Sequence, residues 1–147
     1  MSLNVHNDRG LPDLVASIEQ IGADLPAAKS FSLVATWFGD DLRCGRCTLR
    51  PLVEQKLEDG DTMPWVVSGV SRDAAEIVSR QEDRPLFGGS PADASVLQAI
   101  AHLRASGRSV MFYPFILMDI QAGNGLGDPW TGAADQPARC QPVYPSE

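Results

Sequence analysis

No apolar run in this chain approaches the roughly 20 residues that a bilayer-crossing helix needs, so no membrane insertion is expected. The N-terminus, Met-Ser-Leu-Asn-Val-His-Asn-Asp, lacks both the basic start and the apolar core of a secretory signal, and synthesis in the cytoplasm is the expectation. Basic clusters are missing too. Twelve Lys and Arg stand against 19 Asp and Glu, a net charge of −7 at pH 7, a balance that repels nucleic acid and anionic lipid. Three cysteines, an odd number, do not describe a disulfide framework. The glycines of Asn-Gly-Leu-Gly-Asp at 124–128 precede no helix, so neither a dinucleotide fingerprint nor a phosphate loop is present. No internal repeat is visible, and no cofactor is expected.

What is present is one ordinary core's worth of chain. At 147 residues, 44% hydrophobic and 21% charged, the composition is that of a single globular unit. The sequence is organised around Ser-Val-Met-Phe-Tyr-Pro-Phe-Ile-Leu-Met-Asp at 109–119, which is uncharged from Val110 to Met118. Its apolar residues do not alternate with polar ones, the pattern of a parallel strand covered on both faces. Pro114 is the exception, since proline suits an edge or a bulge. Before it, Ser-Pro-Ala-Asp at 90–93 reads as a capped helix start. Val96, Leu97, Ile100 and Leu103 then form an apolar stripe, and Gly107 a stop.

Elsewhere the signals vary in strength. Leu11, Leu14, Val15, Ile18 and Ile21 recur at helical steps after Pro12. Residues 31–38 form a second apolar run rich in aromatic and β-branched side chains, the best strand of the N-terminal half. Residues 48–53 suit a short edge segment with a proline in its middle. Residues 65–70 read as a strand, and Ser71 as the cap of a short helix reaching about Ser79, with Asp73 and Glu76 near its positive end. Residues 81–89 read as a loop, and 121–147 as loop or frayed tail. Alternation of this kind predicts an α/β layer with parallel strands.

Three blocks carry a resemblance. They are Ser-Leu-Val-Ala-Thr-Trp-Phe-Gly-Asp-Asp-Leu-Arg-Cys-Gly at 32–45, Gly-Gly-Ser-Pro-Ala-Asp at 88–93, and Phe-Tyr-Pro-Phe-Ile-Leu-Met-Asp at 112–119 with Gly123 and Asn124 after it. Together they resemble the TIM-barrel-like, glycoside-hydrolase-like domain of the large tail baseplate protein of gene transfer agents, phage-derived particles that carry bacterial DNA between cells. The resemblance covers roughly residues 5–137 and fails beyond them. It implies a partial TIM-barrel-like α/β domain over 1–137, with roughly three parallel strands in an incomplete barrel and an irregular tail over 138–147. A complete barrel takes about 250 residues. An isolated part would leave open sheet edges and an uncovered strand face. The partners implied are other tail and baseplate subunits and, at the cell surface, polysaccharide.

Candidate chemistry follows from position. Asp40 and Asp41 stand after the first strand and Asp119 ends the organising one. In a barrel such places lie on the face where active sites are built. Glycoside hydrolysis needs two carboxyl groups, about 5–5.5 Å apart for retention or about 6.5–9.5 Å for inversion. The same acids can instead cap loops and helices. Trp130 is the candidate for stacking on a sugar ring, whereas Trp37 and Trp65 fit core packing. Cys44 and Cys47 have the spacing of half a zinc site or a redox pair, with an incidental structural role as the simpler reading. Two readings result: a structural tail-tip component without turnover, or a glycoside hydrolase acting on wall or surface polysaccharide. A thiol-active domain built on Cys44 and Cys47 is a weaker third.

Overall fold

The computed structural model describes residues 5–41, 45–60, 63–125, 127, 131–135 and 138–142. The first element is helix α1 (Asp13–Asp24), which starts immediately after Pro12. Asp13 accepts hydrogen bonds from the His6 backbone N–H and the Asn7 amide, both at 2.8 Å. These bonds tie the preceding residues to the first turn of the helix. Strand β1 (Ser30–Gly39) follows and, as its aromatic and β-branched composition predicts, is one of the two long strands.

Pro51 then divides a short extended segment into β2 (Leu49–Arg50) and β3 (Leu52–Val53), which join different sheets. Lacking a backbone N–H, proline separates the two ladders. The stretch expected as one strand over 65–70 is instead a hairpin of β4 (Val66–Val67) and β5 (Val70–Ser71). Ser68 and Gly69 at its tip have φ of 48° and 83°, the conformation that favours two-residue hairpin turns.

No helix forms over 71–79. The Ser71 hydroxyl accepts from the Ala74 N–H at 3.4 Å and closes a turn. Strand β6 (Glu76–Ile77) then pairs in parallel with β3. Ala75 and Val78 are buried. Their three-residue spacing imitates a helical stripe, but the Val78 N–H is satisfied by the Val53 carbonyl at 2.9 Å. The expected loop over 81–89 likewise contains part of a hairpin, β7 (Arg80–Gln81) and β8 (Arg84–Pro85).

Helix α2 (Asp93–Ala105) occupies the expected place but is not capped as expected. Ser90 lies three residues before it, buried, with its carbonyl accepting the Trp65 indole N–H at 2.7 Å and its N–H donating to the Leu52 carbonyl at 2.8 Å. The expected apolar stripe is also shifted. Ala99 and Leu103 are the buried residues of α2, and Leu97 points outward.

Strand β9 (Ser109–Ile120) pairs in parallel with β1 over ten positions, from Ser30 opposite Ser109 to Gly39 opposite Met118. Pro114 sits in register with Ala35. Helix α2 packs on both strands, and α1 on α2. The expected irregular tail contributes β10 (Arg139–Pro142), antiparallel to the end of β9. The main sheet therefore runs β10-β9-β1-β2, a parallel pair flanked by short antiparallel strands. The fold is mixed α/β, and among the described residues only β3 with β6 adds a second parallel pairing.

Residues in register on adjacent strands share a face, so the pair has two distinct sides. On one, Phe38 and Leu117 pack with Leu52, Val78 and Phe115. On the other, Trp37 packs against Val53, Trp65, Val67, Ala75 and Ala92. Both clusters sit at the C-terminal ends of the strands. The expected burial of β9 on both faces holds only there. Met111, Phe112 and Tyr113 are 59%, 50% and 49% exposed, because the two core clusters gather at the C-terminal ends of the strands and leave the first half of β9 only partly covered.

Candidate functional site

The two long strands deliver their C-terminal ends to one open cleft of about 280 Å³, lined by Asp40, Asp41, Arg46, Arg50, Asp119, Ile120, Gln121 and Asn124. Parallel pairing is the cause. It brings the residue after β1 and the penultimate residue of β9 to the same end of the sheet, although 79 positions separate Asp40 from Asp119. The three acids singled out from the sequence thus line one cavity.

Each carboxylate has a local role as well. Asp119 is 2% exposed. Its Oδ1 accepts the Ser79 N–H at 2.9 Å, and its Oδ2 accepts the Gln121 amide at 2.5 Å. The Ser79 hydroxyl donates to the Ile120 carbonyl at 2.8 Å, so residue 79 is pinned to β9 from two sides. Asp40 Oδ1 accepts the Thr48 N–H at 2.8 Å and closes the loop that follows β1. Its Oδ2 lies 3.4 Å from Arg50 Nη1, while Arg50 Nη2 is 3.1 Å from Glu76. One guanidinium thereby bridges the end of β1 to β6. Asp41 is half-buried on the wall of the cleft.

Sequence reasoning missed Arg46, Arg50, Gln121 and Asn124. Arg50 reaches the cleft because β2 pairs with Phe38 and Gly39 at the end of β1, a long-range pairing without a local sequence signal. Gln121 and Asn124 follow β9 directly. Gln121 also donates to the Ile77 carbonyl at 3.1 Å, and Asn124 donates to the Gln121 carbonyl at 2.8 Å. The lining therefore mixes three carboxylates, two guanidinium groups and two amides. Such a surface suits hydroxyl-rich, uncharged ligands, which can donate to carboxylates and accept from guanidinium and amide N–H groups.

The described residues among the remaining candidates do not line this cleft. Trp65 is buried beneath the Arg72 guanidinium, 5.8 Å from the ring centroid, as core packing predicts. Trp130 and Cys44 lie outside the described residues. Cys47 is half-buried beside Gly39, where an added Cβ would stand 2.9 Å from its Sγ and 3.1 Å from Met118 Sδ. This close approach accounts for the glycine and gives Cys47 a packing role. Among the described residues no group of three or more His, Cys, Asp or Glu is placed to hold a metal ion. No helix among them is long and apolar enough to cross a membrane.

Comparison with known proteins returned no matching family model and no matching curated protein.

Proposed function

We propose that this chain is a structural component of a phage-tail-like gene transfer agent particle, a tail-tip or baseplate part derived from the opening units of a TIM-barrel-like domain and acting without turnover. The observation that carries this reading is the parallel pair β1 and β9, with helix α2 against it and the apolar side chains of Met111, Phe112, Tyr113 and Ile116 left exposed on β9. A strand of this composition is built for a covered position, and neighbouring tail subunits or further barrel units would cover it. The three sequence blocks quoted above fall on the strand pair and on the approach to α2, the elements that define this architecture. Within the particle, the mixed cleft at the strand ends would meet surface polysaccharide.

The alternative is hydrolysis of wall or surface polysaccharide through Asp40, Asp41 and Asp119, favoured by their meeting in one cleft. Against it, Asp40 is committed to Thr48 and Arg50, and Asp119 to Ser79 and Gln121. A nucleophile or general acid must reach its substrate, and these bonds instead hold loops together.

Two measurements separate the readings. In purified particles a tagged chain should sediment with the tail, and deleting its reading frame should abolish DNA transfer. Recovery only outside particles would overturn the structural reading. Reducing-sugar release from cell envelopes, compared between the parent protein and its Asp41→Asn and Asp119→Asn variants, tests the enzyme. Release by the parent that both variants lose would establish the hydrolase.

A further inference from the structure

The sequence holds a single Asn-Gly pair, Asn124–Gly125, and it stands at the edge of the cleft. Glycine after asparagine leaves the next backbone nitrogen sterically open to the side-chain carbonyl carbon. Gly125 lies in the left-handed region, at φ +67°, where a side chain would be strained. Its N–H does not point into a helix or ladder. It donates to Asp135 Oδ1 at 2.6 Å, so a carboxylate ten residues away already holds the proton that a nucleophilic nitrogen would have to lose. We propose that Asn124–Gly125 is a self-modification site, at which Asp135 assists conversion of the Asn124 amide into a carboxylate.

The step balances with water as the only co-reactant. The Gly125 N–H proton passes to Asp135 as the nitrogen bonds to Asn124 Cγ. The Cγ–Nδ2 bond then breaks, and the amine takes the proton back from Asp135 and leaves as ammonia. The resulting five-membered imide is opened by water at either carbonyl, giving an aspartyl or an isoaspartyl linkage. No electron is gained or lost. The product raises the carboxylates lining the cleft from three to four against Arg46 and Arg50. It also removes the donor that Asn124 gives to the Gln121 carbonyl, beside the residue whose amide holds Asp119. The inference stands independently of the particle role.

The test is incubation of the purified full chain at neutral and mildly alkaline pH, followed by peptide mass spectrometry and enzymatic isoaspartate methylation. Conversion should appear at Asn124 and run well ahead of Asn7, which is followed by Asp8 and held by Leu11 and Asp13. Asn124→Gln should block it. Asp135→Asn, with its fold checked by circular dichroism, should slow it about tenfold, less than the about 10²–10⁴-fold of a fully enclosed base because Asp135 is exposed. Conversion at Asn124 no faster than at Asn7, or an unchanged rate in Asp135→Asn, would overturn the proposal.

Discussion

Asp119 is bound by one backbone N–H and one side-chain amide, and the two bonds respond differently to substitution. Asp119→Ala strands the buried Ser79 N–H without an acceptor and should cost about 2 kcal/mol. Asp119→Asn keeps a carbonyl for Ser79, and the Gln121 amide can turn to meet the new NH₂ group, so its cost should be about half as large. Urea unfolding of both variants checks the order. Gly89 is constrained by backbone. An added Cβ would stand 2.5 Å from the Leu52 carbonyl oxygen and 2.8 Å from Val53 Cα, neither of which can swing aside. Gly89→Ala should destabilise by about 2 kcal/mol, read from the same denaturation midpoints. Asp13 gives the pH dependence. The His6 backbone N–H above all, then the His6 side chain and the Asn7 amide, lower its carboxyl from the ordinary 3.8 to about 2. The folded state therefore holds this carboxylate ionised below the range where the unfolded chain protonates. Its stabilising contribution is present above that range and lost as the pH falls through about 2. The gap in melting temperature between wild type and Asp13→Asn should be open at neutral pH and closed below that point.

Among the elements, β9 behaves as two segments. Phe115, Leu117, Met118 and Asp119 turn into the interior, while Met111, Phe112 and Tyr113 remain half-exposed. Replacing Met111 and Tyr113 with Lys should reduce self-association in light scattering and leave the melting temperature nearly unchanged. A large loss of stability would mean those side chains are buried after all. Much of this architecture was legible beforehand. The uncharged run at 110–118 marked β9, the aromatic and β-branched run at 31–38 marked β1, and Leu14 and Ile18 with their repeats marked α1. What misled was chemistry shared between motifs. Ser71 looked like a helix cap and made a turn, because Val53 stood ready to pair with Val78. Ser90 looked like a cap and became a buried link between Leu52 and Trp65. Residues 139–142, without any strand pattern of their own, form β10 because the end of β9 offers an unpaired edge. The cleft was half legible: position alone found Asp40, Asp41 and Asp119, but Arg50 and Gln121 depend on pairings that no local pattern encodes.

In the whole molecule, the candidate site rests on one topological fact: two strands far apart in sequence lie side by side and point the same way. That arrangement sends Asp40 and Asp119 to a common cleft and leaves Met111, Phe112 and Tyr113 on the first half of β9 half-exposed. Antiparallel pairing would place the acids at opposite ends and dissolve the site. Disulfide trapping tests this directly, because paired residues on neighbouring strands lie within bonding reach of one another. In a background with Cys44, Cys47 and Cys140 replaced by Ser, parallel register predicts rapid cross-linking of Ser32→Cys with Met111→Cys and of Thr36→Cys with Phe115→Cys. Cross-linking instead of Thr36→Cys with Met111→Cys and of Ser32→Cys with Phe115→Cys, the pairs an antiparallel ladder centred on Val34 and Tyr113 would join, would contradict it.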